Sequence, residues 1–304
     1  MQPGKTLIVI AGPTAVGKTA AAIQLAKQLN TEIISSDSRQ FYRKMSIGTA
    51  KPTREELSQA KHHFIDSHSI TENFSVGDFE KAGLAVLDDV FKRHDTAIMV
   101  GGSGLYIDAI CKGFDNLPSS PPEIRAALNN GFEQNGIAWL QKKLKACDPA
   151  YYKQVDLNNP QRLIRALEVF ESTGKPFSSF RKAEAIKRAF ACVKIGLNLP
   201  REVLYERINK RVDDMITAGL IDEARLLYPY RHLNALNTVG YSELFDYFDG
   251  KTDLDTAISM IKQNTRRFAK RQLTWFRKDN QIHWIAADDP QLLKNMLAKT
   301  ALLK

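Results

Sequence analysis

Six short apolar segments, each bounded by turn-forming residues, recur along the chain and predict buried β-strands. They are "TLIVIAG" (6–12), "EIISSD" (32–37), "HHFIDSH" (62–68), "TAIMVGG" (96–102), "ACVKIGLNL" (191–199) and "IHWIAAD" (282–288). Amphipathic stretches such as 18–29 and 77–93 lie between the first four and predict helices. Because alternating strands and helices are typical of a parallel sheet covered on both faces, the pattern predicts an α/β core.

The pattern changes near "NLPSSPPEIRAAL", where three prolines punctuate a loop. From there to about residue 188 the periodicity is helical and no strand is predicted. Three helices are expected, in "PPEIRAALNNGFEQNG", "IAWLQKKLKACD" and "NPQRLIRALEVFESTG". Since the strand at 191–199 resumes the α/β pattern, we predict a core formed by 1–119 and 190–304, interrupted by a small helical insertion domain at 120–189.

Composition narrows the class of protein without deciding it. The chain has 304 residues, is 43% hydrophobic, and carries 43 Lys and Arg against 34 Asp and Glu, which is compatible with a polyanionic partner. Its three cysteines are far apart in sequence and match neither a zinc site nor a disulfide framework, which favours a reducing environment. No segment approaches the roughly 18 apolar residues of a membrane span, and the N-terminal apolar run is too short for a signal peptide. The expectation is a cytoplasmic protein with no membrane partner.

The first strand runs into "GPTAVGKT", which matches the phosphate-loop pattern G-x-x-x-x-G-K-[ST] and is followed by a predicted helix. Glycines let main-chain N–H groups surround phosphate oxygens, the helix N-terminus adds its dipole, and the lysine adds charge. A turn with no ligand is the alternative, but pattern and context together favour phosphate binding. The predicted phosphate ligands are therefore Gly12, Pro13, Thr14, Ala15, Val16, Gly17, Lys18 and Thr19, and the Thr19 hydroxyl is a candidate Mg²⁺ ligand.

A phosphate loop that serves nucleotide cleavage is usually accompanied by a second strand that ends in a metal-binding carboxylate. The candidates here are Asp37 and Asp66, whereas "TAIMVGG" ends in glycines. The following "GGSGLY" (101–106) offers the Ser103 hydroxyl at the carboxyl end of a strand, where α/β proteins bind ligands. A tight turn capped by Ser103 explains the same residues equally well.

Cations at helical spacing occur in "NTRRFAKRQLTWFRK" (264–278), interleaved with aromatic residues. Such a helix could follow a nucleic-acid backbone, although a solvated basic face over an apolar stripe is the simpler interpretation. In "NPQRLIRALEVFESTGK", Arg162 and Arg165 share one face, and a salt-bridging helix is again the simpler interpretation.

The segments together resemble the tRNA dimethylallyltransferases, the isopentenyltransferase family that modifies the adenosine immediately 3′ of the anticodon. The resemblance runs nearly end to end and rests on "GPTAVGKT", "SSDSRQFYRKMSIGTAKPT", "HHFID", "GGSGLY", "QRLIRALEV", "RINKRVDDMITAGLIDEA", "TVGYSEL" and "TRRFAKRQLTWFRK". Ser103 stands where many members have threonine, and the hydroxyl is kept. The chain ends soon after the basic helix, without the zinc-finger extension of eukaryotic relatives, so the resemblance implies a bacterial-type or organellar form.

The resemblance implies transfer of the dimethylallyl group from dimethylallyl diphosphate to N6 of that adenosine, with release of diphosphate. It makes Asp37 the general base, places Ser103 near the reacting amine or the bridging oxygen, and makes Arg211 a further diphosphate ligand. It also implies Mg²⁺ as cofactor, the tRNA anticodon stem-loop as partner, and a monomer. The implied tRNA contacts are Asp37, Ser38, Arg39, Gln40, Ser103, Arg125, Gln161, Arg162, Leu163, Ile164, Arg165, Arg266, Arg267, Lys270 and Arg271.

Two other functions fit parts of the sequence. A small-molecule kinase would use the phosphate loop for ATP, and an RNA-binding protein could use it as a nucleotide switch. A kinase needs a metal-binding carboxylate and an arginine-bearing lid over the nucleotide, and the "SSDSRQFY" and "GGSGLY" pair does not match that need.

Overall fold

The computed structural model describes residues 4–115, 117–181 and 186–301. The chain divides into two units, one formed by Met1–Lys112 with Lys187–Lys304 and the other by Gly113–Ile186. The first unit contains the sheet, and the second is helical.

A six-stranded sheet forms the centre of the first unit. Its strands are β1 (Thr6–Ala11), β2 (Ile33–Ser35), β3 (His62–His63), β4 (Thr96–Gly101), β5 (Ala191–Asn198) and β6 (Ile282–Ala286). Their order is β3-β2-β4-β1-β5-β6, and every neighbouring pair is parallel. Each of the six predicted segments contains a strand, and the α/β fold prediction is confirmed. The strands are shorter than predicted because the polar ends of the segments belong to the loops that follow them.

Helices surround the sheet, so its central strands are buried on both faces. On β1, Ile8 and Ile10 pack into one apolar cluster, whereas Leu7 and Val9 pack into the opposite one. This two-sided burial explains why β1 is a continuous apolar run. The helices of this unit are α1 (Lys18–Leu29), α2 (Arg54–Gln59), α3 (Val76–Arg93), α4 (Gly104–Lys112), α8 (Arg201–Thr217), α9 (Leu220–Leu227), α10 (Tyr241–Phe248), α11 (Leu254–Phe276) and α12 (Leu292–Ala301).

A third apolar cluster joins the loop after β2 to helices α8, α9, α10 and α11. The fully buried Tyr241 ring lies at its centre, and its hydroxyl donates to Glu223 Oε1 at 2.7 Å. The two carboxylate oxygens of Glu223 also accept the main-chain N–H groups of Ser46, Ile47 and Gly48 at 2.9–3.0 Å. One carboxylate therefore fixes the loop that follows β2 to α9 and α10.

The second unit consists of α5 (Pro122–Cys147), α6 (Pro149–Tyr152) and α7 (Pro160–Thr173). Gly136 interrupts α5 with φ 71° and ψ −176°, so this element is two helical segments on either side of a kink. The kink accounts for the two separate helices predicted there, and the sequence pattern misses the four-residue α6. Leu128, Leu140, Leu144 and Leu163 form the buried core of this unit.

Among the residues that the structure describes, no helix is both long enough and apolar enough to cross a membrane.

Candidate active site

A cavity of about 1010 Å³ opens at the carboxyl edge of the sheet. In parallel sheets this edge collects the loops that follow the strands. Because β4 lies between β1 and β2, the loops after these three strands meet there, and they are the three segments that the sequence analysis selected. Residues 237–240 and parts of α2, α8, α9, α10 and α11 also line the wall.

The phosphate loop forms the floor between β1 and α1. Gly17 precedes α1 in the left-handed conformation at φ 102°, which favours glycine, and no side chain caps the helix. No side chain of the described residues accepts a hydrogen bond from the first amides of α1, as an anion-binding helix end requires. Lys18 and Thr19, in the first turn, both line the cavity. Val16 differs from these residues, since its side chain is buried in the core.

Lys18 and Arg211 bring two half-buried cations to this floor. Burial lowers the pKa of the Lys18 ammonium to about 8, with Asp37 opposing the change and Arg211 adding to it. Burial likewise lowers the pKa of Arg211, whose guanidinium donates to Thr14 Oγ1 at 3.5 Å. Lys18 Nζ donates to the Pro13 carbonyl at 2.7 Å. Two desolvated cations beside free amides make a site suited to a polyanion such as diphosphate.

Asp37 follows β2 and lines the same cavity. Burial raises the pKa of its carboxyl, and the Arg39 N–H, which donates to Asp37 Oδ1 at 3.2 Å, and the charge of Lys18 partly offset that effect. A carboxylate with a raised pKa is a stronger proton acceptor than an exposed one, so Asp37 is suited to general-base chemistry.

Ser103 connects the loops after β2 and β4. Its hydroxyl accepts the Ser38 N–H at 3.2 Å and lies 3.3 Å from the Ser38 hydroxyl. Ser103 also lines the cavity, beside Asp37 and Ser38. The structure therefore brings together the two residues, Asp37 and Ser103, that the sequence analysis selected as catalytic.

The glycines of "GGSG" are required by close neighbours. A Cβ on Gly101 would lie 2.2 Å from Ser36 Oγ, and one on Gly104 would lie 2.2 Å from the Trp275 indole. A Cβ on Gly102 would lie 2.1 Å from Gln272 Nε2. The motif thus lets the loop after β4 pack tightly against β2 and α11, which periodicity alone does not indicate.

Gln272 is a site residue that the sequence analysis did not single out. It is buried, lines the cavity, and bonds to main-chain atoms of two of the three loops. The signal in the sequence was a polar residue on the apolar side of a basic helix, next to the cation Arg271.

Arg39 and Gln40, which the resemblance makes tRNA contacts, use their side chains within the protein. The Arg39 guanidinium donates to the carbonyls of Asn234 at 2.9 Å, Ala235 at 3.1 Å and Asn237 at 3.2 Å. The Gln40 amide donates to the Thr49 and Ala50 carbonyls, each at 3.1 Å. A base contact through these same donors requires that the intramolecular bonds break.

In the basic helix α11, one cation packs against a neighbouring helix and the other three are exposed. Arg266 is half-buried against α8, where it donates to Asn209 Oδ1 at 2.6 Å. Arg267, Lys270 and Arg271 are exposed, and Arg271 lines the cavity together with Phe268 and Trp275. The exposed cations can contact RNA without breaking this bond, whereas a contact through Arg266 Nη1 would compete with Asn209.

The helical unit holds the remaining predicted tRNA contacts. Arg125 and Arg165 both pair with the buried Glu168, at 3.1 and 3.4 Å. Arg162 and Gln161 are exposed at the start of α7. Leu163 and Ile164 are fully buried in the core of this unit, so any RNA contact from these two positions comes through the main chain.

The residues around the phosphate loop fit Mg²⁺ in the manner of phosphate-loop proteins. Among the described residues no three His, Cys, Asp or Glu side chains cluster as metal ligands. Mg²⁺ in such sites is held by few protein ligands, with substrate oxygens and water completing the shell. The Thr19 hydroxyl, at the start of α1 and in the cavity wall, is placed to serve as such a ligand.

The chain is similar to proteins of one family. The family model described as IPP transferase matches residues 40–279. A tRNA dimethylallyltransferase of Christiangramia forsetii is 60% identical over 283 residues, 93% of this chain and 94% of the relative, and one of Flavobacterium johnsoniae is 52% identical over 286 residues, 92% and 93% of the two chains.

Solved structures give the same result. A tRNA isopentenylpyrophosphate transferase of Bacillus halodurans is 39% identical and superposes with a TM-score of 0.73 over 98% of this chain and 97% of that one. A eukaryotic dimethylallyltransferase acting on tRNA is 28% identical, with a TM-score of 0.80 over 98% of this chain and 78% of that one.

Proposed function

This chain belongs to the IPP transferase family, and we propose that it transfers the dimethylallyl group from dimethylallyl diphosphate to N6 of the adenosine immediately 3′ of the anticodon in tRNA. The observation that carries the proposal is the placement of Asp37 and Ser103 in one cavity with the phosphate loop and its Lys18. A proton acceptor and a diphosphate site are the two parts that this reaction needs.

Asp37 is proposed as the general base. The lone pair of the adenine amino group is delocalised into the ring, so N6 is a weak nucleophile. As the bond between N6 and the allylic C1 forms, the bond between C1 and the diphosphate oxygen breaks and a proton leaves N6 for the Asp37 carboxylate. Burial of Asp37, which raises the pKa of its carboxyl, supports this role. Ser103, bonded to Ser38 next to the base, is proposed to orient the amine.

The leaving diphosphate is proposed to bind the phosphate loop. Charge accumulates on its oxygens as the C1–O bond breaks, and Lys18, Arg211 and the amides at the start of α1 stabilise that charge. Mg²⁺ held by the Thr19 hydroxyl would add Lewis-acid stabilisation of the same oxygens. A phosphate-loop kinase carries a metal-binding carboxylate at the end of a strand beside its phosphate-loop strand. Here the strand beside β1 is β4, which ends in Gly101 and not in a carboxylate. This argues against the kinase alternative.

The RNA partner is proposed to be the anticodon stem-loop. The target adenine must leave its stack to reach the cavity, which costs less in a loop than in a duplex. Arg271 of α11 lines the cavity, Arg267 and Lys270 are exposed on the same helix, and all three are proposed to contact the RNA backbone. The helical unit is proposed to add contacts through Arg125, Arg162 and Arg165. The resemblance extends the proposal to a monomer in the cytoplasm.

The decisive experiment incubates the protein with unmodified tRNA, radiolabelled dimethylallyl diphosphate and Mg²⁺. Label should enter RNA and be recovered as N6-(dimethylallyl)adenosine. Asp37→Asn is the matched variant, and it should keep the affinity for inorganic diphosphate while losing single-turnover transfer. Consumption of ATP with a metabolite and no labelled RNA would establish the kinase function instead.

A further inference from the structure

Gln272 joins the phosphate loop to the loop that carries Ser103. Its Oε1 accepts the Thr14 N–H at 2.9 Å, and its Nε2 donates to the Gly102 carbonyl at 3.0 Å. The side chain is 6% exposed. Since one partner is a donor and the other an acceptor, the orientation of the amide is fixed by its surroundings.

The bond to Thr14 restrains a short stretch of the phosphate loop that is also held from two other sides. Arg211 on α8 donates to the Thr14 hydroxyl, and Lys18 on α1 donates to the carbonyl of Pro13. Lys18 and Gln272 therefore hold the peptide that joins Pro13 to Thr14, and Arg211 holds the Thr14 side chain. Of these three side chains, Gln272 alone is uncharged, so it restrains the loop without adding to the electrostatic attraction for an anion.

The bond to the Gly102 carbonyl restrains the loop after β4 one residue before Ser103. The lack of a Cβ at Gly102 is what allows this approach, because a Cβ there would lie 2.1 Å from Gln272 Nε2. A buried amide that bonds to two loops at once is costly to leave unsatisfied, so both contacts hold together.

We propose that Gln272 is a positioning residue that fixes the distance between the diphosphate held by the phosphate loop and the amine held beside Ser103 and Asp37. This inference rests on the proposed function, since it assigns the two loops to the two substrates. Gln272 lies between Arg271 and Trp275, which line the cavity on the same helix, so the helix proposed to contact RNA also restrains the diphosphate loop.

The first test is Gln272→Met, which keeps the length of the side chain and removes both hydrogen bonds. The KM for dimethylallyl diphosphate should rise about tenfold and kcat should fall, while the KM for tRNA changes by less than about twofold. Gln263→Met is the matched control, since Gln263 is a half-buried glutamine of the same helix. It should leave kcat and both KM values unchanged. Equal changes in both KM values, or a Gln272→Met enzyme that matches the wild type, would overturn the inference.

The second test separates positioning from a loss of folding. Gln272→Glu keeps an acceptor for Thr14 and loses the donor to Gly102 when ionised, but it regains that donor when protonated. The kcat/KM of Gln272→Glu relative to the wild type should therefore rise several-fold as the pH is lowered from about 8 to 6, because burial favours the protonated acid. A ratio that does not change with pH would contradict the role of the donor.

The third test measures diphosphate binding, which does not depend on the proposed transfer to tRNA. If the wild-type protein transfers no label to tRNA, the proposed function fails. The affinity for inorganic diphosphate, measured by calorimetry on the same proteins, still tests the restraint on the phosphate loop. Gln272→Met should weaken that affinity about tenfold, and an unchanged affinity would remove Gln272 from phosphate-loop positioning.

Discussion

The hydroxyls of Ser38 and Ser103 lie 3.3 Å apart, and the same Ser103 oxygen accepts the Ser38 main-chain N–H at 3.2 Å. These contacts join the loop after β2 to the loop after β4 directly beside Asp37. The position of the proposed base therefore depends on a side chain from a different strand.

The first prediction concerns this pair of contacts. Ser103→Ala removes the acceptor for Ser38 and should lower single-turnover transfer about 10- to 100-fold, in the range typical of a lost active-site hydrogen bond. Ser103→Thr keeps the hydroxyl and should retain activity within a fewfold of the wild type. A Ser103→Ala enzyme with wild-type single-turnover rate would show that the hydroxyl does not serve the chemical step.

The second prediction follows from the half-buried ammonium of Lys18, whose pKa is lowered to about 8. A bound diphosphate favours the charged ammonium, so binding above pH 8 requires uptake of a proton. The affinity for inorganic diphosphate should be nearly constant from pH 7 to 8 and should then fall about tenfold for each pH unit above it. Calorimetry in buffers of different ionisation enthalpy measures both the affinity and the proton uptake. An affinity that does not change up to pH 9.5 would exclude Lys18 as the linked group.

Local patterns predicted the sheet well, because a two-sided apolar strand and a glycine-lysine turn leave direct traces in the sequence. The four central strands β1, β2, β4 and β5 and the phosphate loop follow from such traces, whereas the edge strands β3 and β6 are largely half-buried or exposed. The contacts made by Gln272, Arg39 and Glu223 could not be predicted in the same way. Their contacts with main-chain groups join residues that are 170 or more positions apart in the chain, and a polar residue carries no sign of which distant carbonyl or amide it will meet.

The third prediction concerns Arg39, whose guanidinium bonds to three carbonyls of residues 234–237. Asn237 and the residues after it line the cavity, so Arg39 stabilises part of its wall. Arg39→Met should lower the free energy of unfolding by about 1–2 kcal/mol, as for partly exposed hydrogen bonds from a charged donor. It should also increase proteolytic cleavage near residue 234.

The exposed Arg207 on α8 provides the control, because Arg207→Met removes the same charge without these bonds. Both variants should be compared by chemical denaturation and by limited proteolysis. Equal stability and equal cleavage in the two variants would show that the Arg39 contacts do not hold the segment.

The fourth prediction concerns Glu32, which precedes β2 at the end of that strand opposite Asp37. Its carboxylate lies 2.6 Å from His63 Nε2, 2.7 Å from Arg93 Nη2 and 3.1 Å from Lys61 Nζ. Burial would raise the pKa of the Glu32 carboxyl, but the hydrogen bonds from His63, Arg93 and Lys61 outweigh it and lower the pKa to about 2. Because the folded pKa lies below the unfolded one, this group stabilises the protein above about pH 4.5 and loses that contribution as the pH falls toward 2.

Glu32→Gln should therefore lower the free energy of unfolding by roughly 2 kcal/mol at pH 7, and the difference from the wild type should shrink steadily below pH 4.5. Glu206→Gln, at an exposed position on α8, is the control and should change stability little at either pH. Urea denaturation at pH 7 and at pH 3.5 measures both effects. A Glu32→Gln deficit of equal size at the two pH values would mean that the loss comes from packing and not from the charged hydrogen bonds, since protonation of the wild-type carboxyl would then have no effect.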